Sequence, residues 1–162
     1  MELRDATAAD AAAIAAIYNH YVETTAISFE EDPVTDATMQ ERIAGVQQDG
    51  LPWLVAVRDG KVAGYAYATK WRVRAAYRFS VESSVYLDKD CAGKGVGSAI
   101  YAALISRLRD AGRHLCIGGI ALPNDASVAL HEKMRFTKVG QFTEVGLKFG
   151  RWLDVGYWEL RL

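Results

Sequence analysis

Cysteine, histidine and proline are scarce in this chain: two, three and three of 162 residues. Cys91 and Cys116 stand outside any CxxC spacing. No disulfide framework or redox pair is indicated, and free thiols in a reducing cytoplasm are the expectation. His20, His114 and His131 are too scattered for a structural zinc site, so no metal is expected. No apolar run approaches the roughly 18 residues of a membrane-spanning helix. The opening MELRDATAAD lacks the basic region and apolar stretch of a signal peptide. Charge of one sign is not in excess either, with 19 Lys and Arg against 20 Asp and Glu, a net charge of -1. Nothing global draws the protein to nucleic acid or to an anionic membrane, and any anion site must be local. Low-complexity segments, linkers and 20–50-residue repeats are also missing, which predicts a single domain over residues 1–162. What remains is 51% hydrophobic and 24% charged. That is the composition of a globular chain long enough for one sizeable core.

Periodicity divides the chain into short elements. A strand is predicted at Glu2–Arg4, then an alanine-rich helix capped by Thr7 and running to about Tyr21. A second helix is predicted from Thr35 to Gln48. Trp53–Val57 and Val62–Thr69 read as a hairpin around Asp59-Gly60. Ser80–Leu87 is a further strand, with Val81, Ser83, Val85 and Leu87 on one face and Glu82, Ser84 and Tyr86 on the other. The clearest helix is Ser98–Ala111, stopped by Gly112. A strand at His114–Leu122, a turn and short helix over Asn124–Arg135, and strands at Lys138–Val145 and Trp152–Leu160 complete the order. This mixed order predicts an α/β (α+β) fold, a central mixed sheet with helices on both faces.

Gly93-Lys94-Gly95-Val96-Gly97 falls between a strand and an amphipathic helix. Glycines there allow several N–H groups to converge, and the helix N-terminus adds partial positive charge. Lys94 adds a cation, so the segment suits a phosphate or pyrophosphate. A Walker A loop is not matched, because Lys94 is followed by Gly95 and not by Ser or Thr. A dinucleotide loop would need GxGxxG after the first strand, and neither the spacing nor the position fits. A pyrophosphate-bearing acyl carrier stays open, beside an ordinary glycine-rich turn.

The order of motifs resembles the GCN5-related N-acetyltransferase (GNAT) family, within it the phosphinothricin and methionine sulfoximine N-acetyltransferases. The resemblance rests on Ile17–Val22, Trp71–Tyr77, Val81–Tyr86, the loop Ala92–Gly97, Leu122–Glu132 and Lys148–Gly156. It spans nearly the whole chain, and the joint spacing carries it. The resemblance implies a mostly antiparallel sheet flanked by helices, acetyl-CoA as co-substrate without a metal, a small amine acceptor and a homodimer. The implied activity is direct acetyl transfer to the α-amino group of phosphinothricin, methionine sulfoximine or methionine sulfone. Another amine, or a catalytically silent coenzyme sensor, stands as the alternative. Two departures stand out. The Gln or Arg that opens the family's glycine loop is Ala92, and the Tyr common in the wider family is His131.

Residue roles follow from the resemblance. Glu82 is implied as the base that takes a proton from the acceptor ammonium; a strand glutamate facing solvent is its plain alternative. His131 titrates near neutrality and is implied to assist the base or protonate the departing thiolate, against a packed helix histidine. Backbone groups of Val85, Tyr86 and Leu87 would hold the pantetheine arm like an added strand, and an N–H there could stabilise a developing oxyanion. Gly93, Lys94, Gly95, Val96, Gly97 and Ser98 would cradle the pyrophosphate, with Asn124 and Lys133 as further coenzyme contacts. Asn after Pro is also an ordinary turn, and Lys133 an ordinary surface lysine. Arg72 and Arg74, two apart around Val73, would clamp the acceptor's anionic groups. Tyr77, Phe29, Ser83 and Ser84 would complete the acceptor pocket. The aromatic tail Phe149, Trp152, Tyr157 and Trp158 suits a dimer interface or the monomer's own core.

Overall fold

A computed structural model describes residues 1–162. Seven strands form one sheet: β1 (Glu2–Asp5), β2 (Trp53–Arg58), β3 (Lys61–Lys70), β4 (Ser80–Leu87), β5 (Leu115–Leu122), β6 (Thr137–Lys148) and β7 (Arg151–Arg161). Their spatial order is β1-β2-β3-β4-β5-β7-β6. Every neighbouring pair is antiparallel except β4 with β5. Four helices cover it: α1 (Ala11–Thr24), α2 (Asp36–Gln48), α3 (Val96–Asp110) and α4 (Asp125–Lys133).

The two faces are distinguished by side-chain size. On one, Trp53, Tyr65 and Tyr67 stack across β2 and β3. Tyr86 of β4 continues the stack and meets Tyr18 and Tyr21 of α1 at 5.2 and 5.3 Å. On the other face the strands offer Ala56, Ala66 and Ala68, all fully buried. Small residues there let α3 lie close with Ile100, Tyr101, Leu104 and Leu108, none of them accessible. The face that carries Tyr86 also carries Glu82 and Ser84, and the α3 face carries Ser83, whose hydroxyl meets the Tyr101 hydroxyl at 2.7 Å.

Several expected boundaries move, each for a local reason. Thr7 precedes a single 3-10 turn, Ala8–Asp10, and α1 starts at Ala11. The Asp10 carboxylate accepts the Thr7 N–H at 2.8 Å and pairs with the Arg4 guanidinium, which ties this turn to β1. Helix α3 begins at Val96, two residues before the predicted Ser98, because Gly95 takes a left-handed conformation (φ 79°) and reverses the chain there. Strands β6 and β7 are longer than predicted and join at Phe149-Gly150, both with positive φ (51° and 69°). A two-residue turn of that hand normally advertises itself by Asn-Gly or Asp-Gly, as Asp59-Gly60 does, and Phe at its first position hides it. The aromatic tail divides: Trp158 is 2% exposed and belongs to the core, whereas Phe149 and Trp152 are each 61% exposed. Lys148 at the end of β6 is buried, and its ammonium donates to the carbonyls of Val22 and Ser28 at 2.8 and 2.6 Å. That pins the segment after α1 to the β6–β7 hairpin.

Candidate active site

Strands β4 and β5 are paired only at their starts, Ser80–Glu82 against Leu115–Ile117. Beyond that point β4 continues to Leu87 bonded only to β3, and β5 to Leu122 bonded only to β7. The facing edges therefore separate, and alternate N–H and C=O groups of each strand point into the gap without a ladder partner. A cavity of about 220 Å³ fills this gap, lined by Ser84, Val85, Tyr86 and Leu87 on one side and by Gly119 and Ile120 on the other. Asn124, Ser127 and His131 close its far wall, and Ala92 its mouth. The Leu87 carbonyl is already taken by the Tyr21 hydroxyl at 2.6 Å. The other open groups fit an extended amide-bearing arm.

The glycine loop lies at the mouth. Gly93 and Gly95 both have left-handed φ, 74° and 79°, and alternation of hand along such a segment gathers N–H groups into a concave nest. The N–H groups of Val96, Gly97 and Ser98 open α3 and have no intrahelical acceptor. Lys133 of α4 reaches across to this helix start and donates to the Ser98 hydroxyl at 2.9 Å. Lys94, by contrast, is turned back onto the Asp90 carbonyl at 2.7 Å. The donor set suits a pyrophosphate on backbone groups plus one lysine, and a side chain at position 92 is not needed to build it.

Glu82 and His131 are brought near the gap from opposite faces of the sheet. Neighbouring residues of β5 mark the two sides. A Cβ on Gly118 would sit 2.5 Å from His131 Nε2, and one on Gly119 would sit 3.3 Å from Glu82 Oε1. Burial raises the Glu82 carboxyl above its ordinary range, and the Arg72 charge partly pulls it back. No protein group hydrogen-bonds that carboxylate. It is a desolvated acid poised to accept a proton. His131 is 6% exposed and ringed by Tyr101 and Phe136, both at 5.1 Å. Its Nδ1 donates to the Ser127 carbonyl at 2.7 Å, which leaves Nε2 as the lone-pair nitrogen, facing Gly118. Burial lowers its affinity for a proton, and the Ser127 hydrogen bond partly offsets that. The ring lines the coenzyme gap from the side of the sheet opposite Glu82, a position open to a proton on the departing thiolate as well as to simple packing.

The acceptor residues spread more widely. Arg72 stacks on Trp71 at 4.0 Å and donates to its carbonyl at 3.1 Å. It lines a second cavity of about 440 Å³ on the Glu82 face, with Trp71, Phe142, Tyr157 and Glu159. Val73 is 96% exposed and Tyr77 44%, and Arg74 is exposed with no side-chain partner. Within one chain these three line neither cavity. Phe29 packs across Gly146 of β6, away from Glu82. Ser84 pairs with Tyr67 across β3 and β4 on the Glu82 face, whereas Ser83 is buried on the other. Residues that the sequence reasoning did not place in the site include Gly119, Trp71 and Tyr157. The adjacent glycines inside β5 were the available signal, since glycine within a strand marks a close approach.

The Acetyltransferase (GNAT) domain family matches residues 3–156. The chain belongs to the GNAT acetyltransferase family. Phosphinothricin N-acetyltransferase of Streptomyces viridochromogenes is 44% identical over 161 residues, 98% of this chain and 86% of that protein. The L-methionine sulfoximine/L-methionine sulfone acetyltransferase of Salmonella typhimurium is 40% identical, over 100% of this chain and 95% of its own length. A solved GNAT phosphinothricin acetyltransferase from Sinorhizobium meliloti, in complex with acetyl-CoA, superposes with a TM-score of 0.96. It is 39% identical and covers 99% of this chain and 88% of its own. The parted strands and glycine nest are thus features of a GNAT fold. No helix is long and apolar enough to cross a membrane, and no three His, Cys, Asp or Glu side chains converge on a metal site.

Proposed function

We propose that this protein is an acetyl-CoA-dependent N-acetyltransferase for the α-amino group of a small amino-acid analogue. Phosphinothricin, methionine sulfoximine and methionine sulfone are the favoured acceptors, which would make the activity a detoxification. The single observation that carries this reading is the gap between β4 and β5. It runs from a glycine nest at one end to Gly119 at the other, beside which lies a half-buried, unpartnered carboxylate, Glu82.

Bound acetyl-CoA supplies a thioester whose acetyl group is transferred. The edges of Val85, Tyr86 and Leu87 would align the pantetheine arm. Gly93 to Ser98 would hold the pyrophosphate, and Asn124 and Lys133 the remaining polar groups. Glu82 takes a proton from the acceptor ammonium, freeing the lone pair that forms the new C–N bond. An N–H on the open β4 edge would stabilise charge developing on the carbonyl oxygen; as the C–S bond breaks, the second proton leaves the acylated nitrogen and one proton neutralises the departing thiolate, so that amide and free thiol are formed with one proton left on Glu82. His131 acts by position, holding the Gly118 segment of β5 at its height. Holding both reactants in one gap supplies much of the rate.

Acetyl-CoA at millimolar concentration should raise the melting temperature and NADH and ATP should not, because only a ligand of the folded state shifts it. Thiol release should then require an amine from the panel named above. Release with none of them, but with an N-terminal peptide, would move the acceptor to a protein.

A homodimer in the cytoplasm completes the proposal. Strand β6 is a sheet edge with Val139, Val145 and Leu147 each more than half exposed, beside Trp152. An uncovered apolar edge of that length is a pairing surface. Val73, Arg74 and Tyr77 are exposed in each chain, so a second copy is also what would give them a role at the acceptor. Light scattering should give about twice the chain's 17.8 kDa. A mass of one chain at micromolar concentration would reject the dimer. A reducing compartment, in which Cys91 and Cys116 stay thiols, and a single domain over residues 1–162 belong to the same proposal.

A further inference from the structure

The segment Ala26 to Glu31, just after α1, makes no backbone-to-backbone hydrogen bond. Side chains alone hold it. The Tyr18 hydroxyl meets the Ser28 hydroxyl at 2.8 Å, and the Arg42 guanidinium clamps the Glu30 carboxylate at 2.9 and 2.6 Å. The remaining polar tie is Lys148, which is 1% exposed and reaches Ser28, itself 4% exposed. No carboxylate lies within ion-pair distance of the Lys148 ammonium. It donates to the Val22 and Ser28 carbonyls, and the Phe149 ring lies 5.0 Å away. Desolvating an ammonium is costly, and an apolar side chain of similar length would fill the same space more cheaply. What the cation adds is its hold on two carbonyls.

Both carbonyls stand one residue from the coenzyme gap. Val22 follows Tyr21 and Ser28 follows Ile27. Tyr21 and Ile27 are the two residues that α1 and the segment after it contribute to the gap's lining. The Val22 carbonyl is among the last four of α1, which lack an intrahelical donor, so the ammonium also caps the helix with the favourable sign of charge. Tyr21 in turn holds the Leu87 carbonyl of β4 at 2.6 Å.

Resting on the acetyltransferase reading, we propose that Lys148 is a positioning residue for acyl transfer: from the β6–β7 hairpin it fixes the wall of the coenzyme gap that Tyr21 and Ile27 form. Lys148 lines neither the gap nor the cavity beside Arg72, so it acts through the residues next to its two acceptors. Without the ammonium both carbonyls are left unpaired, and Ile27 is held in the wall only by the ties on Ser28 and Glu30.

The test compares wild type, Lys148→Met, Ile27→Ala and the double variant by thiol release. Methionine keeps the apolar stem and removes the donors. Lys148→Met should lower kcat/KM for acetyl-CoA about 10-fold or more, within the roughly 10²-fold that a 1 Å misplacement can cost. The amine KM should stay near wild type. Ile27→Ala should also raise the acetyl-CoA KM and spare the amine KM. In the double variant the two losses should fall well short of multiplying, because Lys148 acts through Ile27. Lys148→Gln keeps an uncharged N–H donor and should recover part of the loss. Losses that multiply, or an amine KM raised as much as the acetyl-CoA KM, overturn the proposal and leave the acetyltransferase intact. Should Lys148→Met fold poorly, Ile27→Ala decides alone, and an acetyl-CoA KM it leaves unchanged overturns the proposal. Wild type that releases no thiol with any amine overturns both.

Discussion

Glu82→Gln should bind acetyl-CoA as the wild type does and lose roughly 10²- to 10⁴-fold in kcat at pH 7, the usual scale of general acid–base help. Glutamine keeps the size and a carbonyl acceptor but cannot take a proton. The loss should shrink as pH rises, because the free amine then exists without help. Stability should move the other way. Burial raises the folded-state pKa of Glu82, so its contribution favours the fold below the unfolded pKa and is lost as pH rises through the folded one. Glu82→Gln should therefore melt slightly higher than wild type at pH 7, with the difference vanishing at pH values below the carboxylate range. A residue serving only the fold would lose stability and activity together. An unchanged kcat at pH 7 would remove Glu82 from the mechanism.

A single bound acetyl donor and one carboxylate make the pH profile simple to read. The rising limb of kcat/KM should report the Glu82 carboxyl and the acceptor ammonium as a coupled pair. Any limb from His131 should fall below the ordinary imidazole range, because burial disfavours its charged form.

The strands and helices were readable because each has a clean period and clear punctuation. Asp59-Gly60 announced its hairpin, and Ile100, Tyr101, Leu104 and Leu108 announced the buried stripe of α3. The glycine nest was equally open to reading, since left-handed Gly93 and Gly95 are the physical reason glycine is needed there. What escaped is non-local. Nothing in the sequence of β4 or β5 says that they part after three residue pairs, since parting is a property of two strands and their outer neighbours. The same is true of Glu82 and His131. Each looks like proton-transfer chemistry alone, and only the alternation of Gly118 and Gly119 puts them on opposite faces. Arg72 and Arg74 share a spacing that predicts one direction for both. The turn that begins at Trp71 removes that regularity and leaves one beside the cavity and the other in solvent.

Arg72→Ala should raise the KM for the amine acceptor about 10- to 150-fold, the worth of a charged hydrogen bond at about 1.5–3 kcal/mol. The KM for acetyl-CoA should stay near wild type, because Arg72 touches the acceptor cavity and not the coenzyme gap. Arg72→Lys should recover only part of the loss. An ammonium keeps the charge, but it neither stacks flat on Trp71 at 4.0 Å nor presents a fork to paired oxygens. A second readout separates binding from mere support of the wall. Arg72 is the charge that draws the raised Glu82 carboxyl back down. Without it Glu82 holds its proton to higher pH, so the rising limb of kcat/KM should move upward in Arg72→Ala and much less in Arg72→Lys. Arg74→Ala should leave an isolated chain unaffected. An acceptor KM raised by Arg74→Ala only where the protein is dimeric would mean that the second copy carries Arg74 to the site. Equal losses of affinity for acceptor and acetyl-CoA in Arg72→Ala would instead mark a damaged fold and remove Arg72 from acceptor binding.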